Sequence, residues 1–194
     1  WPIVLSNLAQ VAMGTTDVIM MGWHGTATMA AGALGVNLYF MALVFGIGLL
    51  NAVSPMIART RGRDAHDTGS VAGTVRAALW SALLLALPCW AVLWWSERIL
   101  LAMGQEPALA AAAGAYARTL QWALLPFWSF LVLRAFLAAL ERPLWSFLIS
   151  AAGVAANALG NWCLLLGRCG FEPLGIAGSG LATTLAATLM LAAL

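Results

Sequence analysis

The sequence has 194 residues, 63% of them hydrophobic and 8% charged, with a net charge of +2 and a mean hydropathy of +0.92. Soluble domains carry about a quarter charged residues, so this composition excludes that class, and several apolar runs exceed the roughly 18 residues that cross a bilayer. The near-balanced charge gives no basis for binding nucleic acid, and the chain reads as an all-α integral membrane protein in contact with lipid.

The first predicted span runs from about Pro2 to Gly22. It is not a secretory signal: it has no basic leader, the first Arg being Arg59, and it contains Gln10 and Asp17. On a helix Ser6, Gln10 and Asp17 share one face, flanked by Met13 and Met21. Gly14 adjoins this stripe and lets another helix or a ligand approach. A carboxylate at depth costs roughly 2.5–3.5 kcal/mol on insertion scales, so it needs an interior setting. Asp17 reads as an ion- or proton-binding group; the alternative is a carboxylate satisfied by a neighbouring hydroxyl or by Arg118.

The second span covers about Ala33 to Ala58, with Asn37, Tyr39, Asn51 and Ser54 as candidates to line a cavity and Pro55 as a kink. The polar turn RTRGRDAHDTGS leads to a third span, about Val71 to Trp95. After the loop SERILLAMGQEP comes a fourth, about Ala111 to Arg134. It offers Tyr116, Gln121 and Ser129 to a cavity and Pro126 as a kink, while Arg118 either joins them or snorkels to the outer surface.

The fifth span, about Leu144 to Leu166, places Ser146, Ser150, Asn157 and Asn161 within about 60° of each other on a helix. Asn157 and Asn161 lie one turn apart and present two carbonyl oxygens to one spot. Such oxygens suit a hard cation beside a carboxylate, and they equally suit hydrogen bonds between helices. The sixth span begins near Gly175; Ser179 shares a face with Thr183, and Thr184 with Thr188. Hydroxyls of this kind usually bond back to their own backbone. Connections are short, so the six spans form one bundle, residues 1–194. A start on Trp1 and an end at Leu194 inside an apolar run suggest a piece of a longer protein.

Arg59, Arg61 and Arg63 in the second-to-third connection, with Arg134 and Arg142 in the fourth-to-fifth, outnumber Arg98 and Arg168 on the other side. The Arg-rich side is expected to be cytoplasmic, with the amino end inside. Trp1, Trp23, Trp94, Trp95 and Trp145 fit interface anchors. His24 and His66 read as solvated loop residues, and Cys89, Cys163 and Cys169 as free thiols. All nine basic residues are Arg. Without Lys, neither a Walker P-loop nor a Schiff-base enzyme can be built, and HExxH, GxSxG and CxxC are absent. The eight Met and ten Trp suit either a flexible lining for apolar cations or ordinary lipid-facing helices.

Several stretches, in order, resemble the multidrug and toxic compound extrusion (MATE) transporters, NorM-like branch. They are LAQVAMGTTDVIMMGWHGTATMAAGALG, GIGLLNAVSPMIARTRG, LVLRAFLAALERP and NALGNWCLLLGRCGFEPLGIAGSGLATTLAATL. The resemblance implies a twelve-helix protein of two six-helix lobes, this chain being the amino-terminal lobe with an incomplete sixth helix. It implies a secondary antiporter, monomeric when full length, in the bacterial inner membrane. Such a protein exports cationic or amphipathic compounds in exchange for H+ or Na+, with no cofactor and no enzymatic activity. It makes Asp17 the coupling acid, with Asn157, Asn161 and Thr183 as partners in binding H+ or Na+; Gln10, Met13, Asn37, Tyr39, Tyr116 and Gln121, read from the spans themselves, are the candidates for cavity lining. Asn161 stands where some branches carry a second acid. A lipid-linked saccharide flippase of the same superfamily is the alternative; it wants several cationic groups, and Arg118 is the single candidate. An intramembrane enzyme lacks a His in any span, and a purely structural subunit leaves the polar stripes unused.

Overall fold

The computed structural model describes residues 2–53, 55–57, 59, 68–140, 143–170 and 172–194. Its helices are α1 (Pro2–His24), α2 (Thr26–Leu50), α3 (Thr68–Trp94), α4 (Ser96–Ala102), α5 (Pro107–Leu120), α6 (Leu124–Ala139), α7 (Pro143–Gly160) and α8 (Ile176–Ala192). A 3-10 turn at Gln121–Ala123 joins α5 to α6, and a π-helical turn at Asn161–Leu165 extends α7. Among the described residues four continuous helical runs are long and apolar enough to cross a membrane: Thr26–Ile57, Val71–Trp94, Pro107–Ala139 and Leu144–Leu165. Helix α1 is 23 residues long but carries Ser6, Asn7, Gln10 and Asp17, and α8 is the shortest of the six spans at 17.

Boundaries differ from expectation where local chemistry intervenes. The second span starts at Thr26, seven residues earlier than read, because a single residue, Gly25, breaks α1 from α2. Its φ of 144° is open to glycine and closed to other L residues. The stretch SERILLA, read as loop, forms the short helix α4. His24, also read as loop, is the exposed last residue of α1. In the fourth span Pro126 has no N–H to give the carbonyl of Trp122, and the helix tightens into the 3-10 turn just before it. The Trp90 indole donates to the Gln121 carbonyl at 2.9 Å in that turn. Trp1, Ser54, His66, Arg61, Arg63 and Arg142 lie outside the described residues.

The bundle packs α1 on α7, α7 on α8, α2 on α5 and α5 on α8. Its centre holds Trp128, Tyr116, Phe130, Leu93, Leu120 and Leu124, all shut off from the surface. The Trp128 indole reaches across to the Leu43 carbonyl at 3.3 Å, tying α6 to α2. Large apolar side chains on the outside, such as Val11, Met41, Leu84 and Leu159, are as exposed as solvent-facing polar groups would be in a soluble domain. Hydrocarbon is the solvent in which that surface is stable. Trp23, Trp94, Trp95 and Trp145 are exposed at or beside helix ends.

The cysteines also depart from expectation. Cys163 and Cys169 are paired in a disulfide, with Cα atoms 5.1 Å apart, and among the described residues only Cys89 is free. The chain reverses after the π turn through Gly167 (φ 66°), and Cys169 itself takes a positive φ of 27°, which brings its side chain back onto Cys163.

Candidate functional site

Asp17 lies in the second half of α1, on the face packed toward α7 and α8. One carboxylate oxygen accepts from Asn161 Nδ2 at 2.6 Å and the other from Thr183 Oγ1 at 2.9 Å. The Asn157 amide donates to Thr183 Oγ1 at 3.0 Å, and Asn161 Nδ2 also faces the Asn157 side-chain oxygen at 3.3 Å. Asp17, Asn157 and Asn161 are buried. Four residues from three helices thus form one closed polar cluster inside an apolar bundle.

The local sequence explains how they meet. Asn157 and Asn161 are one turn apart on α7, and the π turn begins at Asn161, so both amides face α1. Helix α8 approaches because Gly160 and Gly178 leave room: a Cβ at Gly160 would press on Ala182, and one at Gly178 on the Leu164 carbonyl. That approach puts Thr183 against Asp17. Thr183 has one hydroxyl proton to offer, to Asp17 or to the Ser179 carbonyl at 3.1 Å.

The electrostatics are uncompensated. Both donors to Asp17 are neutral. Arg118, weighed as its counter-charge, instead pairs with Glu97 at 3.1 Å at a half-exposed site. Taking a carboxylate out of water penalises its charged form unless a cation or a proton joins it. Asn161 Oδ1 is buried with no partner, a lone pair left unused in the cluster. Asp17, Asn157, Asn161 and Thr183 together offer oxygen ligands, a set that suits a hard cation or a proton. Among the described residues no three His, Cys, Asp or Glu gather into a metal cluster.

Asp17 and Thr183 also form part of the wall of a cavity of about 470 Å³ between α1, α2, α5 and α6. Of the residues expected there, Gln10, Met13, Tyr39 and Tyr116 line it. Asn37 does not: it is exposed on another face of α2. Gln121 is fully buried in the 3-10 turn, off the cavity, with both amide atoms unpartnered. Asn51 lines a different cavity, and Ser129 is buried in α6. Gly14 faces the open space, with nothing within 4 Å of a Cβ there. Asn7, Val36, Phe40 and Phe127 line the cavity too and were missed. The three apolar ones carry no signal, since apolar residues facing a cavity and facing lipid look alike in a sequence.

Membrane-length helices around a buried carboxylate, with that carboxylate at the wall of an open cavity, define the class: a multi-pass helical membrane protein built on an internal polar site. The chain belongs to the MatE family, a family of transporters and not of enzymes, whose model matches residues 2–163. It is 57% identical to the "Probable multidrug resistance protein NorM" of Mesorhizobium japonicum over 192 residues, 99% of this chain and 41% of that protein. The protein of the same name from Brucella suis is 43% identical over 190 residues, 98% of this chain and 40% of that protein. The eukaryotic MATE transporter AtDTX14 shares the fold, with a TM-score of 0.86 at 20% identity over 99% of this chain and 42% of that structure. The chain spans about two-fifths of the length of the curated relatives it matches.

Proposed function

We propose that this chain is the amino-terminal lobe of a secondary active antiporter of the bacterial inner membrane, with its amino end in the cytoplasm. The whole protein exports cationic or amphipathic compounds in exchange for H+ or Na+ by alternating access. The observation that carries this reading is Asp17 itself, a buried carboxylate without a counter-charge among the described residues, shared between a polar cluster and a cavity wall. A proton or Na+ on Asp17 removes the charge that a cationic compound in the cavity would need, so the two states exclude each other. Loading also changes which hydrogen bonds hold α1 to α7 and α8. A protonated Asp17 donates where it had accepted, and Thr183 is freed to turn to Ser179. That repacking gives the ion a differential grip on two arrangements of the bundle, the requirement for driving a rocking motion between lobes.

The flippase alternative needs several cations to hold a pyrophosphate. The described residues lining the Asp17 cavity include none, those lining the adjoining space include a single one, Arg134, and Arg118 is engaged elsewhere.

Ethidium efflux from cells expressing the full-length protein tests the reading. Wild type should empty cells of dye only while a Na+ or H+ gradient stands, and the gradient whose collapse stops efflux names the ion. Asp17→Asn should abolish gradient-driven efflux while leaving the protein in the membrane. Unchanged efflux in Asp17→Asn would overturn the assignment of Asp17.

A further inference from the structure

A second cavity, of about 420 Å³, lies beside the first half of α1. Arg134 of α6 lines it, and its guanidinium donates to the side-chain oxygen of Asn7 at 3.0 Å. Asn7 is neutral, and among the described residues Arg134 makes no ion pair. Two more donors border the same space without partners: the buried Nε2 of Gln10, and the hydroxyl of Ser146, which is 2% exposed. The described lining contains no Asp or Glu. A guanidinium, an amide N–H and a hydroxyl therefore share one cavity with nothing negative among the described residues to receive them.

Buried donors left unmade are costly, and a partly buried guanidinium whose one partner among the described residues is a neutral amide favours an anion. Its planar fork matches the two oxygens of a carboxylate or phosphate. We infer that the Arg134 cavity is an oxyanion subsite, which takes the carboxylate or phosphate group of an amphipathic ligand. One guanidinium with neutral donors suits a single anionic group rather than a pyrophosphate. Asn7, Gln10 and Ile47 line both cavities, so the two spaces adjoin. Gln10 and Asp17 are seven residues apart, about 10 Å along α1. A ligand anchored at Arg134 lays its remainder in the apolar cavity beside Asp17. The subsite would thus favour compounds that carry an anionic group over purely cationic ones. Binding at Arg134 stands apart from the antiport reading; only its consequence for transport rests on it.

The oxyanion has two sources, a small amphipathic ligand or a phospholipid headgroup, and the test separates them. Full-length protein in phosphate-free maltoside detergent is titrated with Nε-dansyl-lysine and with its methyl ester, which differ only in the carboxylate. Wild type should bind the acid about tenfold more tightly than the ester, the scale of a charge-assisted bidentate contact. Arg134→Gln should erase that ratio and leave the ester's affinity in place, Arg134→Lys should keep part of it, and Ser146→Ala should lower it severalfold. Added phosphatidylglycerol that displaces the acid from wild type assigns the site to headgroups, and failure to displace it assigns it to small ligands. A ratio near one in wild type with no Arg134-dependent binding of phosphatidylglycerol would overturn the inference. So would an unchanged ratio in monodisperse Arg134→Gln protein. Asp17→Asn should keep the ratio while losing efflux, so failure of the antiport reading shows separately.

Discussion

At the scale of single residues the polar cluster has a sign that an experiment can read. Thr183 donates to one Asp17 oxygen, and a hydrogen bond to a charged group is worth about 1.5–3 kcal/mol. Thr183→Val removes that donor and, with it, an oxygen that a cation would use. If H+ is the coupling ion, the less stabilised carboxylate takes a proton more readily, and half-maximal efflux moves about tenfold or more toward lower proton concentration. If Na+ is the ion, a ligand is lost, and half-maximal efflux moves a similar distance toward higher Na+. Thr183→Ser should stay near wild type in both cases. No shift in either direction would mean that Thr183 does not act on the ion. Asp17, Asn157 and Asn161 were legible in the sequence because a polar residue in an apolar run must find an interior partner. Asn37 satisfied the same logic and lies exposed. Helix α2 is apolar nearly all round, so its sequence carries no stripe to say which face turns inward.

At the scale of elements the site depends on how closely α8 can lie against the end of α7. Gly178 is the point of contact: a Cβ there would meet the Leu164 carbonyl and the next backbone nitrogen in the π turn. Neither backbone group can swing away as a flexible side chain could. Gly178→Ala should therefore cost about 1–3 kcal/mol, seen as a lower thermal transition in detergent, and should loosen the contact between Thr183 and Asp17. Gly48→Ala is the control, since nothing lies within 4 Å of a Cβ there, and it should leave the transition unmoved or raise it slightly, by the helix-propensity gain of about 0.4–1 kcal/mol. Equal effects from the two would mean that the close approach at Gly178 does not limit stability. Long apolar runs made the third and fifth spans readable to within three residues, whereas the fourth starts four residues earlier and ends five later than read. The π turn has no pattern of its own in the sequence, and the Cys163–Cys169 pairing depends on the reversal at Gly167 and on the positive φ of Cys169. Local periodicity is blind to both. The early start of α2 was missed because Gly25 alone separates two helices where a loop was expected.

At the scale of the whole molecule the question is whether the cavity beside Asp17 opens to both sides of the membrane in turn. A single reporter position can answer it. Gly14 lines the cavity, and a Cβ there has nothing within 4 Å, so Gly14→Cys is a suitable place for a thiol. The background is favourable, because Cys89 is buried and Cys163 and Cys169 are paired. With Cys89→Ser also in place, labelling by a membrane-impermeant maleimide reports the access of Gly14→Cys. The label is applied outside intact cells and to the opposite face in inverted vesicles. A rocking bundle predicts that labelling from one face rises severalfold when the coupling ion is supplied, and that labelling from the other face falls in step. A transported cation should reverse both changes, because it competes for the same carboxylate. In Asp17→Asn the ion should lose its effect while the thiol still reacts, since the cavity is intact and only the charge that senses the ion is gone. Reaction from one face alone, whatever the ion or compound present, would leave the cavity a fixed pocket and sink alternating access for this protein.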